Sequence, residues 1–93
     1  MNQTFQLHYF DFNILTENIL SFKNSSFKDE KTVRQTIENC IIFLKIENII
    51  EVSEISFSRG SIGENSFVHF TLTKKENVQD KDFLKALKFF NIK

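Results

Sequence analysis

SEISFSRGSIGENSFVHFTLTK, residues Ser53 to Lys74, decides the fold, and it holds the chain's only two glycines, Gly60 and Gly63. On its first arm Ile55 and Phe57 point one way, while Glu54, Ser56 and Ser58 point the other. On its second arm Val68, Phe70 and Leu72 share a face opposite Phe67, His69, Thr71 and Thr73. A period of two reads as half-buried strands. Their β-branched and aromatic residues suit a pleated surface. Between the arms lies Arg59-Gly60-Ser61-Ile62-Gly63-Glu64-Asn65. Glycine reaches positive φ without a Cβ clash, so this connection reads as a chain reversal. The stretch is an antiparallel hairpin with an apolar face for a core and a polar face for solvent or a partner.

Upstream, Val33, Ile37, Cys40, Ile41 and Leu44 recur at helical spacing, predicting a main helix from Asp29 to Glu47. Ser26 or Asp29 is its N-cap candidate, and Asn48 its C-cap candidate. Ile42, Phe43 and Ile46 widen the apolar stripe beyond what one sheet face needs. Residues 3–15 alternate through Phe5, Leu7 and Tyr9, then change parity at Phe10, Phe12 and Ile14, as a β-bulge or two paired, partly buried faces would make them do. We read residues 3–23 as a first hairpin, with a helix through Phe12, Leu15, Ile19 and Phe22 as the alternative. Downstream, Phe83, Ala86, Leu87 and Phe90 predict a last helix, capped by Asn77 or Asp80 and reaching about Phe90. The predicted fold is a single α+β domain over residues 1–93: a four-stranded antiparallel sheet with two helices on one face, in the order ββαββα.

Composition narrows the function. Twelve basic residues balance twelve acidic ones, so no global field draws nucleic acid or an anionic membrane. The longest apolar run, Cys40 to Leu44, is far short of a membrane span. The N-terminal MNQTFQLHYF lacks the basic-then-apolar order of a signal peptide. A lone cysteine argues for a reducing, cytoplasmic compartment. Phe, Ile, Asn and Lys make 42 of the 93 residues, a bias toward AT-rich codons that fits an AT-rich bacterium or its mobile elements.

Residues that do chemistry are sparse. His8 and His69 fall on strands, and Cys40 falls on the apolar stripe of the main helix, where a thiol behaves as a small hydrophobe. Two histidines and one cysteine at no ligand spacing do not make a metal centre, and two glycines cannot build a phosphate loop or dinucleotide fingerprint. We therefore expect no enzyme, no cofactor and no metal. The G-x-x-G of the loop resembles in spacing that of KH-type RNA-binding domains, but theirs joins two helices and this one joins two strands.

The surplus apolar surface points to a non-enzymatic protein-interaction module that self-associates as a homodimer. Its partner-binding candidates are Ile62 at the loop tip, Arg59, Phe67 and His69 on the polar face of the hairpin, and Phe43 and Ile46 on the main helix. Small size and AT bias fit an accessory protein of a phage or plasmid that binds and blocks a host defence complex. The alternative is nucleic-acid binding, through bases stacked on the sheet face or through Lys81, Lys85 and Lys88 together with Lys74 and Lys75. From Thr73 to Lys93 six lysines face three acids, whereas from Glu47 to Glu64 four glutamates face Arg59 alone.

Overall fold

A computed structural model describes residues 1–21, 30–58 and 66–90. In chain order these form strand β1 (Asn2–His8), helix α1 (Tyr9–Leu20), helix α2 (Glu30–Phe43), strand β2 (Ile50–Ser58), strand β3 (Phe67–Lys74) and helix α3 (Asp80–Leu87), which continues as a 3-10 turn over Lys88–Phe90. Among the described residues the sheet has three strands in the order β1-β3-β2, all pairings antiparallel.

This corrects the expected ββαββα order and four-stranded sheet. The first predicted hairpin does not form: the chain passes from β1 straight into α1. The parity change at Phe10 is the switch from a period of two to a period of 3.6, not a bulge. Phe12, Leu15, Thr16 and Leu20 are the buried residues of α1, at spacings of three, one and four. His8 makes the junction. Its backbone is extended, with φ −61° and ψ 149°, and its ring Nδ1 accepts the Phe10 N–H at 3.3 Å, which satisfies an orphan amide of the first turn. Ser21 ends α1 in the left-handed region at φ 64°, with its N–H donating to the Glu17 carbonyl.

The main helix stops at Phe43, short of the expected Glu47. Lys45 takes φ 62°, its N–H donates to the Ile42 carbonyl at 3.0 Å, and the Ile46 N–H reaches back to the Ile41 carbonyl at 3.1 Å. These two bonds form a Schellman stop, whose first residue past the left-handed one turns inward. Ile46 is accordingly buried. It belongs to the core, which corrects its assignment to a partner surface.

The Ser53–Lys74 stretch does pair as read, Ile55 opposite Phe70 and Phe57 opposite Val68. β2 also extends upstream to Ile50, and the register shifts between Val52 and Glu54. The extra residue, Ser53, lets Ile50 and Val52 face the core together with Ile55 and Phe57 despite their opposite parity. β3 is the central strand. Phe5 on β1 stacks on Phe70 with ring centroids 5.0 Å apart. Phe12 on α1 and Phe90 after α3 meet Phe70 edge-on, at 6.0 and 6.3 Å. All three helices thus bury apolar side chains in one core, against the Phe5–Phe70–Ile55 face of the sheet. The opposite face carries Thr4, Gln6 and His8 beside Thr71, His69 and Phe67.

Candidate interaction surface

Three surfaces are defined by this architecture. The first lies where β1 meets α1. The cap at His8 fixes its ring against Phe10, stacked at 5.3 Å and 18°. The same ring meets Phe67 of β3 edge-on at 5.4 Å. Tyr9 anchors the junction through its N–H, which donates to the Ser66 carbonyl at 2.9 Å, and its ring packs against Phe57 at 6.1 Å. The helix then points Phe10 and Ile14, one turn apart, outward: they are 60% and 53% exposed. The result is a continuous aromatic and aliphatic surface held from both sides by a cap and a strand.

The second surface is the open sheet face. Thr4 and Thr71 share a hydroxyl–hydroxyl bond of 2.9 Å across β1 and β3. Beside it, a shallow cavity of about 160 Å³ is lined by residues that include Glu54, Ser56, His69 and Thr71. Phe67 and His69 both lie half-buried on this face, two residues apart on β3. The structure thus brings these two candidates together and adds His8. Arg59 and Ile62 lie outside the described residues.

The third is a cleft of about 310 Å³ between α2 and the edge strand β2. Ile41, Ile42, Ile50 and Val52 supply its apolar lining, and Glu38, Glu47, Glu51, Gln35 and Lys75 its polar one. Ile42 is 60% exposed. Phe43, one residue on, is also exposed but lies outside this lining.

No protein-family model matches the chain, and no curated protein and no solved structure matches it. Its own chemistry therefore carries the reading. Cys40 is fully buried, and burial pushes its thiol from 9.0 up to about 12, so at neutral pH it is a protonated core side chain and not a thiolate nucleophile. Among the described residues no group of three or more His, Cys, Asp or Glu side chains could hold a metal ion. Among them, too, no helix is long and apolar enough to cross a membrane.

The lysines separate. Lys74 is tied to Asp80 at 2.6 Å, and the hydrogen bond and charge of the ammonium hold the Asp80 carboxyl below its usual range. Lys75 lines the α2–β2 cleft. Lys81, Lys85 and Lys88 are exposed on α3 and its 3-10 turn, with Leu84 exposed among them.

Read from sequence, His8 falls on a strand and Phe10 marks a parity change, which shows neither the His8 cap nor the exposed Phe10–Ile14 pair. Their signal was present: Phe10 and Ile14 are i and i+4 on a helix whose buried stripe is Phe12, Leu15 and Leu20.

Proposed function

We propose that this chain is a small non-enzymatic protein-interaction module. The observation that carries the reading is the exposed Phe10–Ile14 pair, continuous with the His8–Phe67 aromatic contacts. Fully burying a Phe or Ile side chain contributes about 1.5–3 kcal/mol, and covering the exposed part of one contributes its share of that; apolar patches held rigidly at a surface mark docking sites. Rings already packed on one another lose little conformational freedom when a partner arrives, which favours them as anchors. Exposed Ile42 and Leu84 on other faces support self-association as part of the same reading. The lone, buried cysteine supports a cytoplasmic setting. The AT-biased composition and small size support an accessory role in a phage or plasmid, binding and blocking a host defence complex.

A second reading, nucleic-acid binding, draws on the exposed Lys81, Lys85 and Lys88 and on Phe67 and His69 of the open face. Its signature is oligonucleotide binding that weakens steeply with salt.

The experiment compares wild-type protein with Phe10→Asp as bait in lysate of the source organism. A protein retained by the wild type and lost by the variant, at unchanged circular dichroism and thermal midpoint, supports the module. Identical captured sets contradict it.

A further inference from the structure

We propose that the chain self-associates by seating the lysine-bracketed Leu84 of α3 in the acid-rimmed cleft between α2 and β2 of a second copy. The inference rests on the protein-interaction reading above and names one of its partners.

The cleft is apolar at Ile42, Ile50 and Val52 and carries Glu38, Glu47 and Glu51 against a single cation, Lys75. Leu84 is 52% exposed. Lys81 precedes it by three residues and Lys88 follows it by four, so both stand beside it on the outer face of α3. Lys85 is the next residue along. Of the acids in the first turn of α3, Asp80 is already engaged by Lys74, which leaves Asp82 as the opposing charge. An apolar hollow with an excess of carboxylates thus has its complement, an apolar side chain with an excess of ammonium groups, on the same chain. No α3 residue lines the cleft, so a chain does not fill its own hollow with Leu84.

Because each copy carries both halves, the smallest closed assembly is a two-fold dimer in which the contact is made twice. The chain as a whole is neutral, so copies do not repel one another at long range, and the local charges set orientation at close approach. Addition of a foreign strand to the β2 edge is the rival use of this side. The register shift at Ser53 and the exposed, charged Glu51 and Glu54 oppose it, since bulges and charges are what blunt an edge strand.

The test uses two folded double variants of the full chain, Glu38→Lys with Glu47→Lys, and Lys81→Glu with Lys88→Glu. Circular dichroism checks the fold of each, and sedimentation equilibrium at high micromolar concentration gives the mass. We expect the wild type to dimerise at about 50 mM salt and to weaken at about 500 mM, as screened charge pairs do. Each variant alone should be monomeric, because its cleft and its α3 then carry the same sign. An equimolar mixture should regain the dimer, because both contacts are again complementary. A wild type that stays monomeric overturns the proposal and leaves the cleft to a basic segment of another protein. Either variant dimerising alone like the wild type, or a mixture of folded variants that stays monomeric, overturns it too. The capture lost on Phe10→Asp concerns a different surface and survives or fails independently.

Discussion

Phe12 of α1 meets Phe70 of the central strand edge to face, with ring centroids 6.0 Å apart and planes 69° apart. Both rings are fully buried, whereas Phe10, two residues earlier on the same helix, is mostly exposed. A helix, unlike a strand, puts residues two apart on nearly opposite sides. Phe12→Ala should cost about 3–5 kcal/mol in urea unfolding, the range for a truncated core aromatic. Phe10→Ala should stay within about 0.5 kcal/mol of the wild type.

Ile46 and Phe43 separate core from surface in the same way. Ile46 closes the Schellman stop and is buried, so Ile46→Ala should cost about 2–5 kcal/mol. Phe43→Lys at the exposed end of α2 places a cation near a helix C-terminus and should leave stability within about 0.5 kcal/mol. Chemical denaturation of the two variants side by side checks both values.

The β2–β3 pair and the last helix were legible in local pattern, while the β1–α1 junction and the strand order were not. The alternation through Ile55, Phe57, Val68, Phe70 and Leu72 showed the β2–β3 pair, and the stripe from Phe83 to Phe90 showed α3 with its 3-10 turn. The bulge at Ser53 was also written in the parity change from Ile50 and Val52 to Ile55 and Phe57. It could be read only once β2 was known to begin at Ile50. The β1–α1 junction was hidden because no glycine, proline or polar run separates the two elements, and because the capping group is a histidine ring where Ser, Thr, Asp or Asn is usual. Insertion of β3 between β1 and β2 left no local trace, since the strands that flank it are joined through two helices. Phe10 and Ile14 read with Phe12 as one side of a strand, whereas the helix turns them outward and Phe12 inward, because residues two apart on a helix lie on nearly opposite sides.

The buried Cys40 thiol makes an alkaline prediction. Its folded-state pKa is raised above the ordinary 9.0, to about 12. The neutral thiol's contribution is therefore intact below about pH 9 and is lost as pH rises toward 12, because the unfolded chain releases the proton first. Cys40→Ala should show a shallower alkaline decline in thermal midpoint than the wild type. A thiol reagent at neutral pH should label Cys40 only on unfolding, which absorbance assays read directly.

The Lys74–Asp80 pair makes an acid prediction. Asp80 is held below its ordinary range, so what the pair contributes is present above the unfolded aspartate value of about 3.9 and is lost as pH falls through the lower folded value. Asp80 is well exposed, so the effect is small and screened by salt. Asp80→Asn should lower the thermal midpoint slightly at neutral pH and low salt, and the difference from the wild type should vanish in strong acid.

The central claim, that the His8–Phe10–Ile14 end of the molecule docks a protein, is tested most directly by a photoreactive phenylalanine analogue at position 10. The control places it at position 31, on the exposed first turns of α2. Irradiation in cells of the source should give a discrete covalent adduct with another polypeptide from position 10 and not from position 31. No adduct at position 10, or the same adducts from both positions, would contradict it.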